Sequence, residues 1–205
     1  LFLAAALSAQ PQTISAKKGD ITVTPILHAS MVLQWHGETI FVDPYGGADL
    51  YASFGAPDLV LITDIHGDHL NQETLGGLDL SKAELIAPPA VIDQLGDVKF
   101  HKTHSLANGA ATKWPSIQVE AVPMYNLPET DDSRHPKGRG NGYVLSMGGK
   151  RLYISGDTED IPEMRQLKDI DVAFVCMNLP YTMDVEQAAD AVLEFKPDIV
   201  YPFHY

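Results

Sequence analysis

The chain has 205 residues, 45% of them apolar, which is enough for one domain with a substantial core. Its 27 acidic and 14 basic residues give a formal net charge of −13. This charge argues against a nucleic-acid partner and against docking on an anionic membrane, because both of those partners are themselves negative.

The first residues, LFLAAALSAQ, are apolar and then small, as at the end of a secretory signal peptide whose charged start is missing. The run is too short to span a bilayer. We therefore expect residues 1–20 to be a signal-peptide remnant and leader, and the protein to be exported to the periplasm or secreted. An N-terminal helix packed on the domain is the alternative. Residues 21–205 are expected to form a single domain, truncated at its C-terminus.

The order of the predicted elements indicates a mixed α/β protein. Alternating and β-branched residues predict three consecutive strands at 21–27, 31–35 and 39–44. Residues 57–64, PDLVLITD, contain an apolar run that predicts a strand buried on both faces. The remaining predicted elements are strands at 83–88, 116–124, 171–177 and 198–205, a hairpin over 143–157, and helices at 90–96, 160–168 and 184–195. Cys176 lies in one of these strands and is predicted to be an inert core thiol.

One long segment, residues 125–142, has no regular pattern. Its prolines, glycines and charges predict a loop, and loops of this length in compact domains are usually functional or mobile. Lys137 and Arg139 in this loop are predicted to be solvated, with binding of an anionic substrate group as the alternative.

The strand at 57–64 ends in a dense cluster of acids and histidines, TDIHGDH. Burying a carboxylate without a partner costs several kcal/mol, and a divalent cation would supply that partner. Asp64 and His66 are spaced to point to one side, while Asp68 and His69 follow the turn at Gly67 and can converge from the other side. The cluster therefore predicts two cations held a few ångströms apart. The alternative is an exposed acidic loop with two incidental histidines.

Two further predicted strands end in residues that can bind a metal. LYISGDTED places Asp157 after an apolar run, and IVYPFHY does the same for His204. Alone, each residue has an ordinary interpretation, as a turn aspartate or as a core histidine. Three strand ends that each carry a ligand type predict one shared metal site.

The motifs TDIHGDH, SGDT and PFHY, preceded by LHAS and VDPY, together resemble the metallo-β-lactamase superfamily. The resemblance covers about residues 21–205 and is strongest to metal-dependent hydrolases related to ascorbate-phosphate lactonases and N-acyl-phosphatidylethanolamine phospholipase D. It implies a four-layer αββα sandwich of two mixed β-sheets. It also implies two divalent metal ions at one edge, with zinc expected and manganese or iron as alternatives.

Carried over to these positions, the resemblance implies that His66 binds the first metal. It implies that Asp68, His69 and His204 bind the second metal, and that Asp157 bridges the two. Asp68 would also hold the nucleophile in line and could receive its proton.

Two positions depart from the family pattern. Asp64 stands where the family usually has histidine, and it either binds the first metal or only orients the site. As a ligand it would lower the positive charge that remains after two cations bind. Asn126 stands where a further family histidine is common, so His135 is the candidate for the third ligand of the first metal. Alternatively, His135 contacts substrate, and Asn126 or water completes the coordination.

Two more residues are expected next to the site. Asp43 is predicted to accept a hydrogen bond from a ligating histidine, with a turn-forming role as the alternative. His28 matches a recurrent position of the family near the site, although a hydrogen bond in the core is equally compatible with its sequence context.

The resemblance implies hydrolysis of an ester, lactone, amide or phosphodiester bond in a small-molecule substrate, by a hydroxide held between two metals. The sequence is compatible with two alternatives. One is an iron-dependent oxidoreductase of the same fold, and the other is a metal-binding or ligand-binding protein without catalysis. The sequence leaves the oligomeric state open.

Overall fold

Two mixed β-sheets pack face to face in the computed structural model, which describes residues 10–130 and 132–205. Residues 1–9, which carry the predicted signal-peptide remnant, lie outside the described residues. Helices cover the outer faces of the sheets, so the four-layer αββα sandwich is confirmed. Within the described part of the chain, no helix is both long enough and apolar enough to cross a bilayer.

The first sheet contains the first seven strands in chain order. These are β1 (Gln12–Ile14), β2 (Ile21–Leu27), β3 (Ser30–Trp35), β4 (Glu38–Val42), β5 (Leu59–Leu61), β6 (Glu84–Ala87) and β7 (Lys102–Ser105). Strands β1 to β4 pair antiparallel and β4 to β7 pair parallel. The three predicted consecutive strands are confirmed as β2, β3 and β4. Strand β1 is too short to show alternation, and it places the start of the folded sheet inside the segment 1–20 assigned to a leader.

The second sheet contains the remaining six strands. These are β8 (Ala111–Trp114), β9 (Ile117–Met124), β10 (Gly140–Met147), β11 (Lys150–Ile154), β12 (Val172–Cys176) and β13 (Ile199–Phe203). Strands β8 to β11 pair antiparallel, and β11 to β13 pair parallel. The predicted hairpin is β10 and β11, which turn at Gly148 and Gly149. Both glycines have a positive φ that other residues rarely adopt.

Strand β5 explains how one apolar run serves two cores. Leu59 and Leu61 belong to the core between the two sheets, whereas Val60 and Ile62 belong to the core under the helices. Successive side chains of a strand point to opposite faces, so a strand with cores on both sides must be apolar at every position. The prediction of a strand buried on both faces is confirmed, because all four side chains are fully buried.

The helices are short except for the last. They are a 3₁₀ helix (Ala48–Phe54), α1 (Gln72–Gly77), α2 (Pro89–Ile92), α3 (Pro162–Arg165) and α4 (Val185–Phe195). The predicted helices at 90–96 and 160–168 are confirmed in shortened form as α2 and α3. Asp184 caps the N-terminus of α4, where its side chain accepts a hydrogen bond from the backbone N–H of Gln187.

The topology gathers the predicted ligands at one edge of the sandwich. Asp43 and Asp64 follow β4 and β5, which run parallel in the first sheet. Asp157 and His204 follow β11 and β13, which run in one direction in the second sheet. The carboxyl ends of parallel strands lie at the same edge of a sheet, and ligand sites of α/β proteins form there.

Candidate metal centre

All seven predicted ligands lie at this edge, in three groups of side chains whose ligand-type atoms are within 4.8 Å of one another. The first group is Asp64, His66 and His135. The second group is His69, Asp157 and His204. The rim group is Asp68, His28 and His204. The structure therefore brings together every residue that the sequence assigns to metal binding.

Asp157 lies between the first and second groups. Its Oδ2 atom is 3.2 Å from Nε2 of His69 and 3.3 Å from Nε2 of His135. Its Oδ1 atom is 3.4 Å from Nε2 of His204. One buried carboxylate thus faces histidines of both groups, which is the arrangement that a ligand bridging two metals requires.

The backbone before Asp157 leaves no room for a side chain. Gly156 has a φ of +62°, and a Cβ atom there would lie 2.6 Å from Sδ of Met124 and 3.0 Å from the backbone oxygen of Asn141. A larger residue would push the β11 end away from these neighbours. Gly156 therefore holds Asp157 in place at the centre.

The donor atoms at this centre fit a divalent cation. Nε2 of His69, Nε2 of His135 and Oδ1 of Asp157 are buried and have no hydrogen-bond partner. Leaving a buried polar group unpaired costs about 1–3 kcal/mol. Histidine nitrogens and carboxylate oxygens are the ligands that zinc, manganese and iron accept, so a cation at this centre would satisfy these atoms.

Charge also concentrates around Asp157. Burial raises the pKa of this carboxyl, but the neighbouring His69, His135 and His204 outweigh burial and hold the pKa well below its usual range. Burial lowers the pKa of His69, yet the carboxylates of Asp157 and Asp43 raise it well above the ordinary value. Both shifts favour positive charge beside the carboxylate of Asp157, and a divalent cation that takes the place of the His69 proton would supply it.

His69 is fixed from behind by Asp43, as the sequence predicts. Its Nδ1 atom lies 2.9 Å from Oδ2 of Asp43, and the backbone N–H of Thr63 donates to Oδ1 of the same carboxylate at 2.7 Å. The Thr63 hydroxyl also donates to Oδ2, at 2.6 Å. The imidazole therefore presents Nε2 to Asp157, and this second layer of contacts sets the ring orientation.

Asn126 holds His135 in a similar way. The Asn126 Oδ1 atom accepts a hydrogen bond from the His135 backbone N–H at 2.8 Å, and it lies 3.1 Å from His135 Nδ1. The Asn126 Nδ2 atom donates to the backbone oxygen of Tyr181. Asn126 thus stands beside His135 and turns Nε2 of that histidine toward Asp157. The sequence predicts Asn126 only as an alternative ligand.

Arg139 is the main residue that sequence reasoning misjudged. Its Nε atom donates to Oδ1 of Asp64 at 3.1 Å, and its Nη2 atom donates to Oδ2 of Asp64 at 3.0 Å. The prediction of a solvated charge is wrong for Arg139, because the chain folds the loop back onto a buried carboxylate. Nδ1 of His66 lies 2.7 Å from the same Oδ2 atom.

The rim group is the accessible part of the centre. Oδ2 of Asp68 lies 3.2 Å from Nε2 of His28 and 3.3 Å from Nε2 of His204, and about a third of the Asp68 side chain is exposed. Burial raises the pKa of Asp68, but the hydrogen bond with His204 and the charge of His69 together lower it by more than burial raises it. The net shift of this pKa is therefore downward. Asp68 therefore stays ionised around neutral pH.

A cavity of about 430 Å³ opens beside the rim group. His28 and His204 line the side of the cavity that faces the metal centre. Apolar side chains line most of the remainder, among them Val23, Met31 and Phe203. A pocket of this size and lining is typical of a small-molecule site.

Comparison with known proteins agrees with this geometry. The sequence model of the β-lactamase superfamily domain matches residues 22–204. The chain belongs to this family. A metal-dependent hydrolase of the UPF0173 group from Lysinibacillus sphaericus is 30% identical over 189 residues, which are 87% of this chain and 82% of that protein. The metallo-β-lactamase resemblance is therefore confirmed, and the protein is a metal-dependent hydrolase of this superfamily.

Two solved structures share the metallo-β-lactamase fold of this chain. A Parabacteroides distasonis protein described as a metal-dependent hydrolase has a TM-score of 0.86 and 43% identity, covering 96% of this chain and 88% of that one. Igni18, a metallo hydrolase from Ignicoccus hospitalis, has a TM-score of 0.75 and 26% identity, covering 90% and 82%. The metallo-β-lactamase architecture thus extends over nearly the whole chain.

Proposed function

We propose that this metallo-β-lactamase family member hydrolyses an ester, lactone, amide or phosphodiester bond of a small molecule at a dinuclear centre. The observation that carries the proposal is the position of Asp157, whose carboxylate faces His135 of the first group and His69 and His204 of the second. A carboxylate shared in this way supports two cations rather than one.

When bound, two divalent cations polarise the substrate oxygen and lower the pKa of water from about 15.7 toward roughly 7. Zinc is the proposed metal. Manganese and iron are alternatives, because all three metals bind to imidazole nitrogen and carboxylate oxygen. The chain would hold them with Asp64, His66 and His135 at the first site, and with the second group and Asp68 at the other site.

The protein side chains supply orientation and a place for the proton. Asp43 fixes His69 and Asn126 fixes His135, so the two rings keep their directions during the reaction. Asp68 is ionised and more exposed than Asp64 and Asp157, so its Oδ2 atom can orient the attacking water and accept its proton. The leaving group takes the proton from Asp68 at the end of the cycle.

The cavity next to His28 and His204 supports a substrate with an apolar part. Its apolar lining would remove such a group from water and place the reactive bond against the rim group. A burial of this kind contributes roughly 25 cal/mol per Å² of apolar surface to binding.

The test uses the full chain loaded with zinc or manganese, against a panel of esters, lactones, phosphodiesters and N-acyl compounds. We expect Asp68→Asn to lower turnover about 10²–10⁴-fold and, because its amide oxygen can still contact a cation, to weaken the second metal site less than His69→Ala does. His69→Ala should lose metal and turnover together. His104→Ala is the matched control, since His104 pairs with Glu84 at 2.5 Å outside the three groups.

Two results would contradict the proposal. One is a metal-replete protein that cleaves no compound of the panel, and the other is an Asp68→Asn variant with unchanged turnover. Activity that appears only with iron and follows its redox state would favour an oxidoreductase instead.

A further inference from the structure

The contact between Asp64 and Arg139 has the geometry of a dedicated ion pair. Both carboxylate oxygens accept a hydrogen bond from the guanidinium, at 3.1 Å and 3.0 Å. The Asp64 side chain is fully buried, and only 19% of the Arg139 side chain is exposed. Paired contacts between a planar guanidinium and a carboxylate fix the direction of the carboxylate as well as its charge.

The backbone holds the two residues at this distance. Asn141 donates its backbone N–H to the backbone oxygen of Thr63 at 2.9 Å, so the start of β10 is joined to the residue before Asp64. A Cβ atom at Gly140 would lie 2.8 Å from the same Thr63 oxygen. Arg139, the residue just before β10, therefore lies opposite Asp64, and this close approach depends on a glycine at position 140.

Among the described residues, Arg139 is the only lysine or arginine that forms an ion pair with a predicted metal ligand. The other partners of these ligand carboxylates are histidines. The family resemblance places a neutral histidine at position 64. An aspartate there adds one negative charge, and Arg139 adds one positive charge beside it.

We propose that Arg139 is a positioning residue, and that the Asp64–Arg139 pair acts as one neutral unit in the place of the family's histidine. Arg139 aims the carboxylate at His66 and compensates its charge, so the centre keeps the net charge of a site with histidine at position 64. This replaces the expectation from sequence that Asp64 alone lowers the charge left after two cations bind. The inference rests on the metal centre and not on the proposed hydrolysis.

The test is a double-mutant cycle on metal affinity. Asp64→His, Arg139→Gln and the double variant are compared with the wild type, and the zinc affinity of each site is measured by chelator competition. Asp64→His leaves the guanidinium uncompensated near the first group, so first-site affinity should fall at least about tenfold. The double variant removes that charge and should return to within about threefold of the wild type.

The melting temperature of Arg139→Gln, measured with and without zinc, is an independent test. The substitution leaves a buried carboxylate without its cation, so the metal-free variant should melt at a lower temperature than the metal-free wild type. Zinc then supplies the missing charge, and the rise in melting temperature on zinc addition should be larger for the variant. Arg139→Lys keeps the charge without the paired contacts and should fall between the two.

The control cycle uses a second carboxylate–cation pair at the other end of β11, in which Nζ of Lys150 lies 2.6 Å from Oδ1 of Asp171. Asp171→His and Lys150→Gln should affect zinc affinity little and additively. The proposal is overturned if the effects at 64 and 139 are also additive, or if zinc raises the melting temperature of Arg139→Gln no more than that of the wild type. Neither outcome depends on finding a substrate.

Discussion

Nδ1 of His69 lies 2.9 Å from Oδ2 of Asp43, and both side chains are completely buried. Asp43→Asn keeps the size of the side chain but removes the charge that orients the ring. We expect the variant to bind metal at the second group about 10–100-fold more weakly, because outer contacts to a ligating histidine carry this much of the affinity. Chelator competition with zinc measures the change.

Asp58→Asn is the matched control for this variant. Asp58 accepts a hydrogen bond from the backbone N–H of Thr39 at 2.8 Å in the same sheet, outside the three groups. Its metal affinity should equal that of the wild type. Equal losses in the two variants would show a general effect of removing a carboxylate and would contradict the specific role of Asp43.

Asn126 gives a prediction for the first group. Asn126→Ala removes the oxygen that lies 3.1 Å from Nδ1 of His135, so the ring is free to turn away from Asp157. Elemental analysis should find about one metal per chain instead of two, since only the second group remains intact. Asn126→Asp keeps an oxygen acceptor and should retain both metals. Two tightly bound metals in Asn126→Ala would show that Asn126 does not orient the ring.

The sequence predicts the parts of this structure that depend on local pattern. Alternation and apolar runs identify β2 to β6 and β9 to β13. Apart from β13, most of whose residues are exposed, these strands are buried on one face or both. Strands β7 and β8 were missed, since their burial is low and their sequences lack an apolar pattern. Helix α1 was also not predicted, because it lies in a glycine-rich segment. Its N-cap is Asn71, whose side-chain oxygen accepts hydrogen bonds from the backbone N–H and the hydroxyl of Thr74.

The candidate site divides in the same way. Asp64, Asp157 and His204 could be predicted because each follows a strand, and strand ends meet at one edge. The pairing of Asp64 with Arg139 could not, because 75 positions and an irregular loop separate the two residues. The hint in the sequence is an aspartate where the family usually has histidine, and a buried aspartate is commonly paired with a cation.

Gly142 gives a prediction for stability. A Cβ atom there would lie 2.7 Å from the backbone oxygen of Ser155 and 2.9 Å from that of Ile154, and backbone atoms cannot move aside as a flexible side chain can. Gly142→Ala should therefore lower the free energy of unfolding by about 1–3 kcal/mol, measured by urea denaturation. Gly76→Ala is the control, since a Cβ atom in that helix meets nothing within 4 Å and the stability should not fall. Equal stability of Gly142→Ala and the wild type would contradict the packing described for β10.

Cys176 lies fully buried in β12, in agreement with the sequence prediction of a core thiol. Burial, reinforced by the charge of Asp157, raises the pKa of this thiol to about 11. The thiolate is the reactive form, and at pH 8 only about one thiol in a thousand would carry that charge. Native protein should therefore react with a thiol-specific disulfide reagent only as fast as it unfolds, and urea should release one reactive thiol per chain.

The control for this measurement is Val185→Cys, which places a second thiol at a side chain that is 65% exposed. This variant should react with one equivalent of reagent at once and with a second only in urea.

The raised pKa of Cys176 also sets the direction in which the stability of the fold changes with pH. The folded state keeps the thiol proton up to about pH 11, whereas the unfolded chain releases it near 9.0, so this group makes the fold less stable as pH rises through that interval. Rapid, stoichiometric labelling of the native wild type at pH 8 would show that β12 opens to solvent and that Cys176 is not a closed core residue.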